Sequence, residues 1–340
     1  MNIFTRHSSN PILSPNPNNK WESRAVFNPA AIEIHNRVIL LYRAVGQNKN
    51  YVSQIGIAES DDGVEFIRQA QPWLTPETIE DCWGVEDPRA TCIDGVVYIT
   101  YTAISQPVKE TIKHKRAKPL IPQVNLVTTN DFSIYSHQGS ITPAQSDNKD
   151  VVLFSEKIRG CYVMLHRPSR WSRSWVDSVS ASDASTVPFS RNSLPNVPGI
   201  WISYSYDLEH WFDHRLLFAP TNERDEKIGA GAPPIKTKDG WLLIYHHVRI
   251  DREGNRIYSA RAVLLDSKNP SHIIAVSDGD VLIPEEDYEC TGDVDRVVFP
   301  TGAFIRDDVI YMYYGAADMH CALATAHYTD LRATLQSVIE

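Results

Sequence analysis

The chain has 340 residues, 42% hydrophobic and 22% charged, a composition that supports a packed core and excludes collagen-like, mucin-like and disordered classes. Its 33 Lys and Arg against 42 Asp and Glu leave a net charge of −9, which argues against nucleic acid as a partner, since phosphate neutralisation needs a basic surplus. No apolar run approaches the ~20 residues that span a bilayer, and Met1-Asn-Ile-Phe-Thr-Arg-His7 lacks the build of a signal peptide, so a cytoplasmic protein away from membranes is expected.

In chain order the dominant signal is a short apolar strand ending in an aromatic or His and then a small or polar residue. It occurs as Val38-Ile-Leu-Leu-Tyr-Arg43, Val97-Tyr-Ile-Thr-Tyr-Thr102, Tyr162-Val-Met-Leu-His-Arg167, Trp241-Leu-Leu-Ile-Tyr-His246 and Ile310-Tyr-Met-Tyr-Tyr-Gly315. After most of these comes a second run leading into a turn, as in Ile55-Gly-Ile-Ala-Glu-Ser-Asp-Asp-Gly63, Val124-Asn-Leu-Val-Thr-Thr-Asn-Asp131 and Ile200-Trp-Ile-Ser-Tyr-Ser-Tyr-Asp207. Each repeat is then a small antiparallel sheet that cannot bury both faces alone, and radial stacking of such sheets makes an all-β five-bladed β-propeller with four-stranded blades. The rival folds, a sandwich or a jelly roll, do not predict five-fold recurrence of one strand-and-turn pattern.

The chain therefore reads as a single domain over 1–340, interrupted by insertions near 105–123 and 169–198. The first holds a basic cluster, Lys113 to Lys118, which reads as a solvated loop. The second is rich in Ser and Arg and carries Trp171 and Trp175, which either pack the loop onto its blade or offer faces to a sugar. Cys82, Cys92, Cys161, Cys290 and Cys321 form no C-x-x-C pair and are expected as buried free thiols.

Equivalent positions of the repeat should face one end of the central channel, which nominates Arg43, Thr102, Arg167, His246 and Gly315. Three of these can carry positive charge, so the channel mouth is a candidate anion site; taken singly, each reads better as structural, and it is the three matching positions together that bring the functional reading level with it. Within Gly84-Val-Glu-Asp-Pro-Arg89, Asp87 is held by the following Pro in a restricted, non-helical backbone. It is either a general acid or part of an Asp-Pro turn with Arg89 as its ion-pair partner. Asp318, just past the fifth strand, is placed to bind a sugar hydroxyl. Gly229-Ala-Gly231 fails as a dinucleotide motif because Pro233 and Pro234 follow instead of a helix, leaving close backbone approach as its reading. No metal is expected, because His246 and His247 are adjacent on a strand and point to opposite faces.

These residues have a familiar arrangement. Phe27-Asn-Pro29 with Leu41-Tyr-Arg-Ala44, Gly84-Val-Glu-Asp-Pro-Arg89, Leu153-Phe-Ser-Glu-Lys-Ile158 with Leu165-His-Arg-Pro168, Lys227-Ile-Gly-Ala-Gly-Ala-Pro-Pro234 with Tyr245-His246, and Tyr313-Tyr-Gly-Ala-Ala-Asp318 resemble, in order along nearly the whole chain, the β-mannoside phosphorylases of glycoside hydrolase family 130. The resemblance implies a five-bladed propeller with Asp87 as proton donor. It implies that Asn28, Arg43 and Asp318 bind the mannosyl unit, and that Lys149, Arg167, Lys227 and His246 hold inorganic phosphate, a co-substrate that leaves no need for a cofactor. Family members that hydrolyse mannosides lack the basic set, so the expected reaction is reversible, inverting phosphorolysis releasing α-mannose 1-phosphate. A β-1,4-linked mannooligosaccharide or mannosyl-N-acetylglucosamine is the expected substrate, a β-1,2-linked mannoside the alternative, and a homo-oligomer the expected assembly. Ser155 and Ala232 each stand where the family pattern commonly has Pro, and neither change removes a reacting group.

Overall fold

The computed structural model describes residues 3–48, 50–105, 122–142, 147–170, 198–220 and 222–338, the side chains of 169 and 170 excepted. After a short strand β1 (Thr5–Arg6), the first sheet is built from β2 (Ala25–Ile34), β3 (Arg37–Val45), β4 (Ser53–Ser60) and β5 (Ile67–Arg68). The second comprises β6 (Val85–Ile93), β7 (Val96–Ala103), β8 (Gln123–Thr129) and β9 (Ser136–Ser140). The third comprises β10 (Asp147–Leu153), β11 (Tyr162–Arg170), β12 (Ile200–Ser205) and β13 (Trp211–Phe218). The fourth contains β14 (Asp225–Ala230), β15 (Ile235–Thr237), β16 (Gly240–Ile250), β17 (Arg256–Leu265) and β18 (Ile273–Ser277), and the fifth β19 (Val298–Arg306), β20 (Val309–Ala316) and β21 (His320–His327). The sheets form a five-bladed β-propeller. The five repeated runs are the second-strand segments of the five blades, within β3, β7, β11, β16 and β20.

The continuous apolar character of those runs follows from burial on both faces. Successive strand residues point to opposite sides, and here each side meets a neighbouring blade. On β3, Ile39 and Leu41 pack toward the second blade, while Val38, Leu40 and Tyr42 pack toward the fifth. On β16, Trp241, Leu243 and Tyr245 pack on the third blade, while Leu242 and Ile244 pack on the fifth. The apolar core is thus divided among the interfaces between adjacent blades, each buried side chain contributing about 1.5–3 kcal/mol. The turn after the third strand also recurs. A hydroxyl and a carboxylate two residues on, Ser60 with Asp62, Thr129 with Asp131 and Ser205 with Asp207, accept hydrogen bonds from the following backbone N–H groups.

Strands from the chain ends complete the fifth blade to four and enlarge the fourth. β1 pairs with β21, Thr5 opposite Thr325, as the outermost strand of the fifth blade, so the ring is closed by the N-terminal segment. β22 (Leu335–Ser337) adds to the edge of β18, and β15 pairs with β16, so the fourth blade has six strands instead of four. Among the described residues two short helices, α1 (Asp287–Cys290) and α2 (Tyr328–Thr334), accompany the strands. The cysteine expectation is also corrected: all five are free, but only Cys161 and Cys321 are buried, Cys82 being exposed and Cys92 and Cys290 half-buried, because thiols scattered through loops and strand ends do not share a core. The basic cluster Lys113 to Lys118, Trp171 and Trp175 lie outside the described residues, as does most of both insertions.

Candidate active site

The innermost strands of the first three blades each carry a bulge, at Asn28-Pro29 in β2, at Asp87-Pro88 in β6 and at Asp150-Val151 in β10. Asn28 (φ 51°), Asp87 (φ 51°) and Asp150 (φ 56°) occupy the left-handed region there, which short polar side chains tolerate best among non-glycine residues. The restriction expected before Pro88 is therefore real but takes a left-handed form, not an extended one. A bulge breaks the strict alternation of strand faces, and Pro29 and Pro88, lacking N–H groups, fit where ladder bonds are already interrupted.

All eight residues singled out by the family pattern, Asn28, Arg43, Asp87, Lys149, Arg167, Lys227, His246 and Asp318, line one cavity of about 190 Å³. Of the five repeat-derived positions, Arg43, Arg167 and His246 reach it. Thr102 is buried and is not part of the lining. Gly315 contributes space: a Cβ there would fall 1.9 Å from Asn28 Oδ1. Gly229 does the same for its neighbours, its hypothetical Cβ lying 2.3 Å from Asp150 Oδ2 and 2.4 Å from His246 Cε1, so the Gly229-Ala-Gly231 segment does serve close approach. His246 and His247 part company as strand alternation requires, His247 hydrogen-bonding to Asp225 at 2.7 Å on the other face. Among the described residues no group of three or more His, Cys, Asp or Glu side chains could hold a metal.

Asp87 Oδ1 accepts a hydrogen bond from Asn28 Nδ2 at 2.8 Å and from Arg43 Nη1 at 3.3 Å. Arg43 also pairs with Glu86, whose other oxygen lies 3.4 Å from Lys149 Nζ. Arg89 is not an ion-pair partner of the Asp87 side chain. It braces the bulge from behind, donating to the carbonyl oxygens of Asp87 at 2.8 Å and Pro88 at 3.2 Å, and across the channel to Gly231 O. On the basic side, Arg167 Nε donates to Asp150 Oδ2 at 2.6 Å, and His246 Nε2 lies 3.6 Å from the same oxygen.

Burial opposes ionisation of Asp87, but Arg43, Lys149 and Arg89, with the Asn28 amide, outweigh it and hold the carboxyl below its ordinary value. Asp318 goes the other way. Its burial, reinforced by repulsion from Asp87 and Glu86 and only partly offset by Arg43, pushes it up to about 7. Two carboxyls of one cavity are thus driven apart in acidity by their different neighbours. Burial, with Arg167 adding to it, brings Lys227 down to about 8. His246 is brought down to about 3 by burial, Asp150 opposing and Arg167 and Lys227 assisting. His246 therefore favours its neutral imidazole form beside Lys149, Arg167 and Lys227. Neither of its ring nitrogens has a hydrogen-bond partner within the protein among the described residues.

Four participants escaped the sequence reading: Glu86, Asp150, Tyr258 and Phe299. Phe299 packs its ring 4.5 Å from the His246 ring, and Lys227 Nζ lies 5.4 Å from the Tyr258 ring. For Asp150 a signal existed, an Asx residue on the inner strand shortly before each of the first three repeated runs (Asn28, Asp87, Asp150). No proline follows Asp150 to draw the eye.

A family model described as beta-1,4-mannooligosaccharide phosphorylase, glycoside hydrolase family 130, matches residues 4–336. A 1,2-beta-oligomannan phosphorylase of Thermoanaerobacter sp. is 36% identical over 96% of this chain and 98% of its own. A beta-1,4-mannooligosaccharide phosphorylase of Ruminococcus albus is 28% identical over 97% of this chain and 90% of its own. The solved structure of a beta-1,2-mannobiose phosphorylase from Listeria innocua, in complex with beta-1,2-mannobiose, superposes with a TM-score of 0.78 at 27% identity, covering 97% of this chain and 98% of that one. Propeller architecture, full-length family match and full-length relatives agree that this chain belongs to glycoside hydrolase family 130, the mannoside phosphorylases.

Proposed function

We propose that this protein phosphorolyses β-mannosides with inversion, and that β-1,2-linked mannosides are its first substrates. The observation that carries the reaction type is that a carboxyl group, Asp87, and a basic set, Lys149, Arg167 and Lys227 with neutral His246, line the same small cavity. An inverting displacement needs an acid on the leaving-group side and a nucleophile on the opposite face of the sugar. Phosphate supplies the nucleophile itself and needs cations for positioning, not a general base. Asn28, Arg43 and Asp318 hold the mannosyl unit; Asp87 in its acid form gives a proton to the glycosidic oxygen, relayed by a hydroxyl of the mannose. A phosphate oxygen bonds to C1 as the C1–O glycosidic bond breaks, the departing sugar leaves with the proton, and α-mannose 1-phosphate remains. The negative charge of phosphate entering beside Lys149 competes for the cations that keep Asp87 ionised, and so raises its proton affinity when a donor is required. No organic cofactor enters this scheme.

The linkage preference differs from the β-1,4 expectation of the sequence. It is supported by the higher identity to the oligomannan phosphorylase acting on 1,2-beta linkages, 36% against 28% for the β-1,4 relative. The test is incubation with β-1,2-mannobiose and β-1,4-mannobiose, each with and without phosphate, following mannose 1-phosphate and free mannose. Phosphate-dependent release of mannose 1-phosphate from the β-1,2 substrate is expected. Free mannose in the absence of phosphate would identify a hydrolase, and preferential cleavage of the β-1,4 substrate would restore the other linkage.

A further inference from the structure

Asp150 is a carboxylate set among the basic residues of the cavity, a position that at first sight opposes anion binding. It is only 6% exposed, and the fold makes room for it, since any side chain at Gly229 would collide with its Oδ2. Its two oxygens have different surroundings. Oδ2 accepts from Arg167 Nε at 2.6 Å and faces His246 Nε2 at 3.6 Å. Oδ1 has Arg89 Nη2 at 3.8 Å, beyond hydrogen-bond range, and accepts no hydrogen bond among the described residues. Charged and titratable groups face this carboxylate from several strands: Arg89 on β6, Lys149 on β10, Arg167 on β11, Lys227 on β14 and His246 on β16. Arg167 and Arg89 hold it well below the ordinary carboxylate range against the effect of burial.

An ionised carboxylate only accepts hydrogen bonds. A tetrahedral oxyanion without a proton would bring its own lone pairs against Oδ1 and gain nothing there. One that retains a hydroxyl can donate it, making a charge-assisted O–H···O⁻ bond, while its remaining oxygens meet Lys149, Arg167 and Lys227. Inorganic phosphate and arsenate keep at least one hydroxyl at neutral pH; sulfate keeps none. We propose that Asp150 makes the anion pocket select protonated tetrahedral oxyanions, phosphate and arsenate, and reject sulfate, by accepting a hydrogen bond from the hydroxyl of the bound anion. The inference rests on the phosphorolysis reading and adds a specificity-determining residue to it.

The experiment measures the KM for phosphate, turnover with arsenate in its place, and the inhibition constant of sulfate against phosphate, in the wild type and in Asp150→Asn. In the wild type sulfate should bind at least about 100-fold more weakly than phosphate, in line with the cost of leaving a buried polar group unmatched, and arsenate should support turnover within about tenfold of phosphate. Asp150→Asn presents an amide that can donate, so its ratio of sulfate inhibition constant to phosphate KM should fall at least about tenfold. Were Asp150 only a brace for Arg167, both constants would rise together and the ratio would stay fixed. If thermal melting shows that the variant does not fold, the wild-type ratio alone decides. Phosphate-dependent turnover with sulfate competing within about tenfold of phosphate would overturn this inference alone. Turnover independent of phosphate would overturn the phosphorolysis reading and this inference with it.

Discussion

Asn28 and Asp87, on the inner strands of adjacent blades, share the same left-handed backbone conformation and are joined by a 2.8 Å hydrogen bond from Asn28 Nδ2 to Asp87 Oδ1. The bond ties the two bulges together across a blade interface and sets the carboxyl that faces the cavity. Asn28 in turn depends on the fifth blade, where Gly315 leaves the space its amide fills.

Gly315→Ala should therefore act on the reaction through Asn28. The new methyl group would overlap Asn28 Oδ1, displacing the amide and with it Asp87. A loss of about 10- to 100-fold in kcat/KM is expected, the scale of a misplacement near 1 Å, with a destabilisation of about 1–3 kcal/mol from overpacking. Gly279→Ala is the control, since a Cβ there meets nothing within 4 Å, and its kcat/KM should match the wild type. Steady-state kinetics and melting curves on both variants provide the check.

Asp87→Asn keeps an oxygen that can accept from Asn28 and Arg43 but has no acid proton. Mannose 1-phosphate formation should fall by about 10²- to 10⁴-fold with little change in melting temperature. A variant retaining a tenth or more of wild-type turnover would remove Asp87 from the donor role.

The phosphate KM should rise in alkaline solution because Lys227, brought down to about 8 by burial and Arg167, loses its charge as the pH climbs through that value. The cationic form binds phosphate, so affinity is full below about 8 and declines above it. Lys227→Arg stays charged throughout, and its alkaline limb should move up by more than one pH unit. Comparing the two profiles cancels the titration of phosphate itself; coincident limbs would exclude Lys227.

Asp318 makes a prediction about stability. Its carboxyl, pushed up to about 7 chiefly by burial, with help from Asp87 and Glu86, binds its proton more tightly in the folded than in the unfolded chain. The associated stabilisation is present at acid pH and lost as the pH rises through about 7. Asp318→Asn is neutral at every pH, so its melting temperature relative to the wild type should be higher at ~pH 8 than at ~pH 5. A difference that does not vary with pH would show that the Asp318 carboxyl is not perturbed in this way.

What could be read along the chain was the part governed by local pattern. Both faces of β3, β7, β11, β16 and β20 are buried between blades, so each appears in the sequence as an unbroken apolar run, and five such runs announce five blades. The site positions at the ends of those runs, Arg43, Arg167 and His246, were legible for the same reason, and Asp87 stood out beside its proline. Asn28, Lys149 and Lys227 came only with the family pattern, because nothing in their immediate neighbours marks them. Tertiary structure decided the rest. The distance from Asn28 to Asp87, the room left by Gly315 and Gly229, the brace from Arg89 to Gly231 and the strands added from the chain ends all join segments far apart in sequence. So does the electrostatic field that neutralises His246, lifts Asp318 and keeps Asp150 ionised. Residue identity sets which charges are available; which of them are realised depends on burial and on neighbours brought close only when the ring of blades closes.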